Sequence, residues 1–339
     1  MRHINIPVFI PHLGCPNDCV FCNQRTISGH CDYEKEKVRT EIEHALATID
    51  EKANTQIAFF GGSFTGIDRE EMIYLLSVAK EYIDKGAVSS IRLSTRPDYI
   101  DKEILCILRD YGVKSIELGI QSMSDKVLSA SKRGHTAKES FDAMKLIVEN
   151  GFELIGQMMI GLPGSSEEDE IYTAQAICKS GAVGARIYPT VVFENTELCN
   201  MARRGVYSPL TLDDAVRRSK SAKSIFVKNG VEVIRVGLQS SENLALSDKV
   251  YAGDYHSAVG EMVDSLLYYD IIKKYIQENE LAEKIHGQDI KIYVAPGEVS
   301  KVSGHNKTNK HRLQDEYYVK NIKVIEKNNI LRYNIVLSV

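Results

Sequence analysis

Along the first 240 positions, apolar residues recur in two alternating rhythms. The short β-branched runs INIPVFI (4–10), QIAFFG (56–61), SIRLST (90–95), SIELGIQ (115–121), ELIGQMMI (153–160) and ARIYPTVV (185–192) predict strands. Between them, stretches near 34–52, 68–84, 101–111, 136–150, 167–180 and 211–229 predict amphipathic helices. Capping pairs open three of these: Asp68 with Glu71, Thr136 with Glu139, and Ser165 with Glu168. Alternating β and α elements with apolar strands imply a parallel sheet wrapped by helices. Six βα units in about 200 residues suit an α/β fold of the partial or complete (β/α) barrel type, with a doubly wound open sheet as the competing layout. Either way, chemistry gathers at the carboxyl ends of the strands. A further strand, VEVIRVG (231–237), closes or flanks the sheet.

After about residue 240 the rhythm changes. A mixed helix (257–278) precedes DIKIYVA, a polar stretch rich in lysine and histidine, then KNIKVIE and LRYNIVL. This predicts two domains, a barrel over 1–240 and a small α+β appendage over 241–339. The division agrees with about 150 residues per domain in a chain of 339. The segment YAGDYH (251–256) falls where barrel gives way to appendage and reads as an interdomain contact.

Composition narrows the function classes. Hydrophobic residues at 43% and charged residues at 26% exclude a largely disordered or fibrous chain. The net charge of −4 gives no global basic field, so any nucleic-acid contact must be local. No run approaches the roughly 18 apolar residues of a membrane span, and the start lacks a signal-peptide pattern. The expectation is a cytoplasmic protein with no membrane partner. Seven cysteines, four of them scattered (Cys31, Cys106, Cys178, Cys199), do not form a secreted disulfide framework, and those four read as buried apolar-like side chains.

The other three are the strongest chemical signal. Cys15, Cys19 and Cys22 fall within eight residues, directly after the first strand. Thiolates this close converge on a soft metal centre. Zinc would need a fourth ligand, from His12, His30 or Cys31, and structural zinc sites usually pair two such knuckles. A [4Fe–4S] cluster with one iron left open needs only the three.

With Phe21 before the last cysteine, CPNDCVFC resembles the signature of the radical S-adenosylmethionine (SAM) superfamily. That resemblance implies a partial (β/α)6 barrel, a [4Fe–4S] cluster and SAM bound at its open iron. It also implies a one-electron donor of the flavodoxin or ferredoxin kind, and reductive cleavage of SAM to a 5′-deoxyadenosyl radical. Later strand ends then acquire roles. Gly61, Gly62 and Ser63 hold the amino group of SAM. Ser94 stands where relatives carry a glutamate. Gln121 lies near the ribose, Arg133 pairs with the methionine carboxylate, and Gln157 offers a donor and an acceptor to ribose hydroxyls. Met158 and Met159 divide between core and adenine wall, and Arg186 and Tyr188 face cofactor or substrate.

Across 93–164, STRPDYI, ELGIQS, RGHT and GQMMIGLPG resemble the catalytic subunit of elongator most closely, and oxygen-independent coproporphyrinogen oxidases more distantly. The first resemblance implies RNA, specifically tRNA, as substrate; the second implies a tetrapyrrole or other small metabolite, or a non-catalytic haem- or RNA-binding relative. Between Gly297 and Lys323 bases outnumber acids, and the loop from Gly304 to Lys307 loosely resembles the backbone-clamping loop of a KH module. Lys307, Lys310 and Arg312 are the RNA-contact candidates there.

Overall fold

The computed structural model describes residues 3–10, 15, 19–23, 34–49, 54–238, 249–253 and 256–339. His12, His30 and Cys31 lie outside them, as does the stretch around the expected domain boundary. Seven strands form one parallel sheet: β1 (His3–Phe9), β2 (Asn54–Phe60), β3 (Ser90–Thr95), β4 (Val113–Gln121), β5 (Glu153–Ile160), β6 (Gly184–Pro189) and β8 (Glu232–Val236). Their spatial order follows their sequence order, interrupted only by β7 (Val192–Phe193), which belongs to another sheet. A doubly wound sheet reverses direction at a switch point. This one never does, so its right-handed crossovers place every helix on one face. The result is a partial (β/α) barrel, with β1 and β8 at its two edges.

The outer face of the sheet is the core. Ile57 and Phe59, Ile91 and Leu93, Ile116 and Leu118 are at most 1% exposed and pack under the helices. Those helices are α1 (Val38–Leu46), α2 (Arg69–Asp84), α3 (Lys102–Asp110), α5 (Ala137–Glu149), α6 (Glu167–Lys179) and α8 (Leu212–Lys228), while the short α4 (Asp125–Ala130) lies beyond β4 and the short α7 (Glu197–Arg203) follows β7. Asp68 caps α2 through the amides of Glu70 and Glu71, and Thr136 forms a reciprocal box with Glu139 on α5. On α6 the box is Ser166 with Asp169, one residue beyond the expected Ser165 and Glu168. Two adjacent serines followed by a run of acids make both frames legal, and the helix adopts the second.

The inner face is polar because side chains alternate along each strand. Gln56, Arg92, Glu117, Gln157 and Arg186 all turn inward, opposite the apolar set.

The appendage is built on α9 (Val259–Glu278). Its first half packs on the barrel through Val259 and Val263 against Val216. Its second half joins a separate core with Ile290, Ile292 and Leu313. A sheet ordered β11 (Asn321–Glu326), β10 (Asp289–Val294), β12 (Val336–Ser338) completes that core, with α10 (Ala282–Ile285), α11 (Val299–Ser303) and α12 (Thr308–Tyr317). Before α9 the chain returns to the barrel, where β9 (Val250–Ala252) pairs antiparallel with β7. A buried ion pair, Lys223 of α8 with Asp264 of α9, ties the two units, and the Tyr333 hydroxyl donates to Asp264 at 3.0 Å.

Candidate active site

The loops after β1, β2, β3 and β4 meet at the carboxyl end of the sheet. Gly61 turns with φ +98°, and a Cβ there would come within 3.3 Å of the Ile10 backbone nitrogen. Only glycine lets the second loop lie this close to the first. The Ser63 backbone beside it reaches the Cys15 thiol. Ser63 itself is buried, its Oγ 3.1 Å from Thr95 Oγ1 and accepting from the Arg96 amide at 3.2 Å. Thr65 joins Thr95 at 2.6 Å and donates to the Tyr99 carbonyl at 2.9 Å. These hydroxyls lock the second and third loops together. Ser94 is half-buried and shares a small pocket with Gly62 and Ser63.

The thiols sit among guanidinium groups. Arg133 Nη1 donates to Cys19 Sγ at 3.3 Å, and its Nη2 donates to the Gly119 carbonyl at 2.7 Å. Arg96 is buried, forks onto Asp98 at 2.9 Å, and donates to the Arg133 carbonyl at 2.5 Å. Although Cys15 as a residue is exposed, burial around its thiol raises its pKa above the usual value, and Cys19 raises it further. Arg96, Arg133 and the Ser63 backbone act in the opposite direction. Cys19 is buried and Cys22 half-buried, joined by a turn from the Cys22 amide to the Cys19 carbonyl at 3.0 Å. Among the described residues, no three His, Cys, Asp or Glu side chains are gathered as a closed metal cage. The structure brings Cys15 and Cys19 within electrostatic reach and turns Cys19 toward Arg133. Phe21 packs with Val20 against Val192 and Leu198.

At the end of β4 the pairing with β5 slips between Gly119 and Gln121, and Gln121 takes φ +65°. A bulge of this kind re-aims a side chain, and a left-handed glutamine costs about 1 kcal/mol that the surroundings must hold in place. Gln121 Oε1 is buried with no hydrogen-bond partner, and so is Arg96 Nη1. Arg96 lies within electrostatic reach of Cys15 and Cys19, and Gln121 lies over Gly119 beside Arg133; an orphaned donor and an orphaned acceptor there are what a polar ligand satisfies. With three soft thiolates on one loop and the glycine approach at Gly61, the residues present fit a cluster carrying SAM.

Deeper in the barrel Glu117, 1% exposed, accepts four bonds: Arg92 Nη1 at 3.1 Å, Gln157 Nε2 at 2.8 Å, and Arg186 Nε and Nη2 at 2.7 and 2.9 Å. The structure therefore commits Gln157 and Arg186 to a carboxylate on the concave face. Met158 is fully buried in the outer core and Met159 is half-buried. Sequence reasoning assigned no role to Glu117, Arg92, Arg96, Thr95 or His135. A charged residue at an inward position of an otherwise apolar strand was the available signal for the first two. Cys199 is buried as expected, whereas Cys106 is exposed on its helix, and Cys178 is half-buried and packs against the barrel core.

A partial (β/α) barrel with a loop of closely spaced cysteines at its strand ends is the class of fold that suits a soft metal centre there. A radical SAM superfamily domain matches residues 9–177 and a radical SAM C-terminal domain residues 182–269. The chain belongs to the radical SAM superfamily, and is an enzyme that uses a [4Fe–4S] cluster and SAM. An uncharacterized protein of Methanocaldococcus jannaschii is 32% identical over 223 residues, covering 62% of this chain and 67% of that one. The tRNA uridine(34) acetyltransferase of the same organism is 35% identical over 140 residues, covering 40% of this chain and 26% of that one. The chain thus spans about a quarter of that relative's length. A solved structure of Methanocaldococcus infernus Elp3 with an N-terminal deletion superposes with a TM-score of 0.61 at 21% identity, over 82% of this chain and 63% of that one, a likeness of fold. Among the described residues no helix is long and apolar enough to cross a membrane.

Proposed function

We propose that this radical SAM enzyme modifies RNA, with tRNA as the substrate. The observation that carries the reading is the 35% identity over 140 residues to a tRNA uridine(34) acetyltransferase, whose name states that substrate. The barrel's electrostatics support it. One carboxylate, Glu117, stands between two guanidinium groups, so this network adds positive charge to the concave face of a chain that is acidic overall.

Cys15, Cys19 and Cys22 hold the cluster, and a flavodoxin- or ferredoxin-like donor supplies the electron. Bound, the cluster and SAM supply a 5′-deoxyadenosyl radical by reductive cleavage. The chain's own residues position and exclude. Gly61 lets the second loop approach the thiols, Gln121 and Arg96 offer their orphaned polar atoms to the cofactor, and Arg133 brings a planar cation suited to a carboxylate. Glu117 fixes Gln157 and Arg186 before any substrate arrives. Acetyl transfer is not carried over from the relatives, since the match covers only a quarter of their length.

Nucleoside analysis of tRNA from a deletion strain tests the reading. Loss of one modified nucleoside, restored by the intact gene, is the expected result. An unchanged profile alongside active SAM cleavage would move the substrate to a small molecule.

A further inference from the structure

The three-stranded sheet of the appendage is covered on one face only. Ile290, Ile292 and Val294 of β10 and Leu337 of β12 turn into the core under α9 and α12. Alternation therefore presents Lys291, Tyr293, Lys323, Ile325 and Val336 on the opposite face. The pairing register sets Lys291 directly beside Lys323, and sets Tyr293 between Ile325 on one side and Val336 on the other. Both lysines are exposed, Tyr293 and Ile325 are half-buried, and Val336 is 46% exposed. Lys327 places its Nζ 3.7 Å from the Tyr293 ring centroid.

This face carries charge without partners. Neither Lys291 nor Lys323 forms an ion pair among the described residues. Asp289 lies on this same face at its edge, where it accepts from Asn321 at 3.0 Å, while Glu326 falls at the register of Val294 on the other face and accepts from the Gly297 amide at 2.9 Å. Like charges set directly opposite each other weaken a strand pair, and mixed signs would serve solubility better. Paired cations next to an aromatic ring and two aliphatic side chains match a ligand that carries regular anions and flat apolar rings together. An unpaired nucleic-acid strand has both. An acidic peptide supplies the anions without the rings.

We infer that this open sheet face binds a single-stranded segment of RNA, with phosphates along Lys291 and Lys323 and a base against Tyr293, Ile325 and Val336. The inference rests on the RNA reading above and gives it a location. That location is across the core from Lys307, Lys310 and Arg312, which lie on the helix side. Arg312 is there stacked over Tyr269 at 3.7 Å.

The test is fluorescence anisotropy of the full chain with labelled oligouridine, a labelled RNA duplex and labelled polyglutamate, over a range of salt. Oligouridine should bind more tightly than duplex. The double variant Lys291→Gln, Lys323→Gln should flatten the slope of log affinity against log salt by about 1.4, two single-strand phosphate contacts at roughly 0.7 each. Tyr293→Leu should weaken oligouridine about five-fold or more at unchanged slope, while Tyr293→Phe keeps the affinity. Matching urea midpoints for all variants establish that each is folded. Wild-type affinity in both the double variant and Tyr293→Leu overturns the inference, as does a parallel loss of polyglutamate binding, which would assign the face to an acidic protein. If the wild type binds no RNA the inference also falls, while the tRNA nucleoside profile still decides the proposed function on its own.

Discussion

The seven-stranded sheet buries its charges in partnership, with Arg92 and Arg186 both committed to Glu117. The three-stranded sheet instead displays Lys291 and Lys323 side by side in water. In the barrel each ion has lost its hydration and depends on its partner, so removing one leaves the other stranded. In the appendage hydration is intact and nothing internal depends on the charge. The first arrangement fixes geometry for chemistry; the second is available to a ligand. Variants on the two sheets should therefore fail in different ways.

The largest effects belong to the barrel mouth. Cys15→Ala, Cys19→Ala or Cys22→Ala should each abolish iron–sulfur absorption and 5′-deoxyadenosine formation after anaerobic reconstitution. Cys106→Ala, on the exposed side of α3, should retain both. Loss of the chromophore in the Cys106 variant, or its survival in any of the other three, would contradict the assignment of ligands.

Next comes the stranded-charge test. Glu117→Ala leaves two guanidinium groups facing one another inside the barrel, and should cost about 3–5 kcal/mol of stability, read as a fall in urea midpoint. The same truncation at Lys291 should fall within about 0.5 kcal/mol of wild type. If the two costs were equal, the contrast between the sheets would not hold. Glu117→Gln keeps the shape and two acceptor sites, and should lie between.

Histidine 135 sharpens the comparison by pH. His135 is buried with Nε2 3.4 Å from the Ile120 carbonyl, and burial, then Arg133, then Arg96 hold its pKa down from 6.5 to about 4. Below pH 6.5 the unfolded chain takes a proton that the folded one refuses, so stability is lost as pH falls from 6.5 toward 4. The full swing is about 3 kcal/mol. His135→Gln should flatten that part of the stability curve. A wild-type curve already flat between those limits would show that the ring is not held neutral.

Much of this was legible from the chain. All seven barrel strands were readable because β-branched runs and amphipathic helices differ in period, and the Cys15–Cys22 spacing is rare enough to point to its chemistry. The inward charges were harder. Arg92 and Glu117 each stand as a lone charge in a strand run, and only the register of β3 on β4 shows that they meet. Arg96 and His135 become site residues through contacts between loops far apart in sequence. The open appendage face depends on β10 pairing parallel with β11 across two intervening helices. The basic loop drew notice instead, since local composition reports charge but not the face on which it lies.

That loop supplies the smallest test. Lys307 holds φ +62°, a left-handed backbone that lysine adopts at a cost, and its side chain is exposed. Lys307→Gly relieves that cost, offset by the greater freedom of glycine in the unfolded chain. The net change should be a stability gain of at most about 1 kcal/mol, read as a rise in urea midpoint. If the sheet face is the RNA platform, the same variant should leave oligouridine affinity within about two-fold of wild type, as loss of a single cation off the platform requires. A loss matching that of the Lys291 and Lys323 double variant would place RNA on the helix side instead, and the appendage would then present its cations from a helix rather than from a sheet.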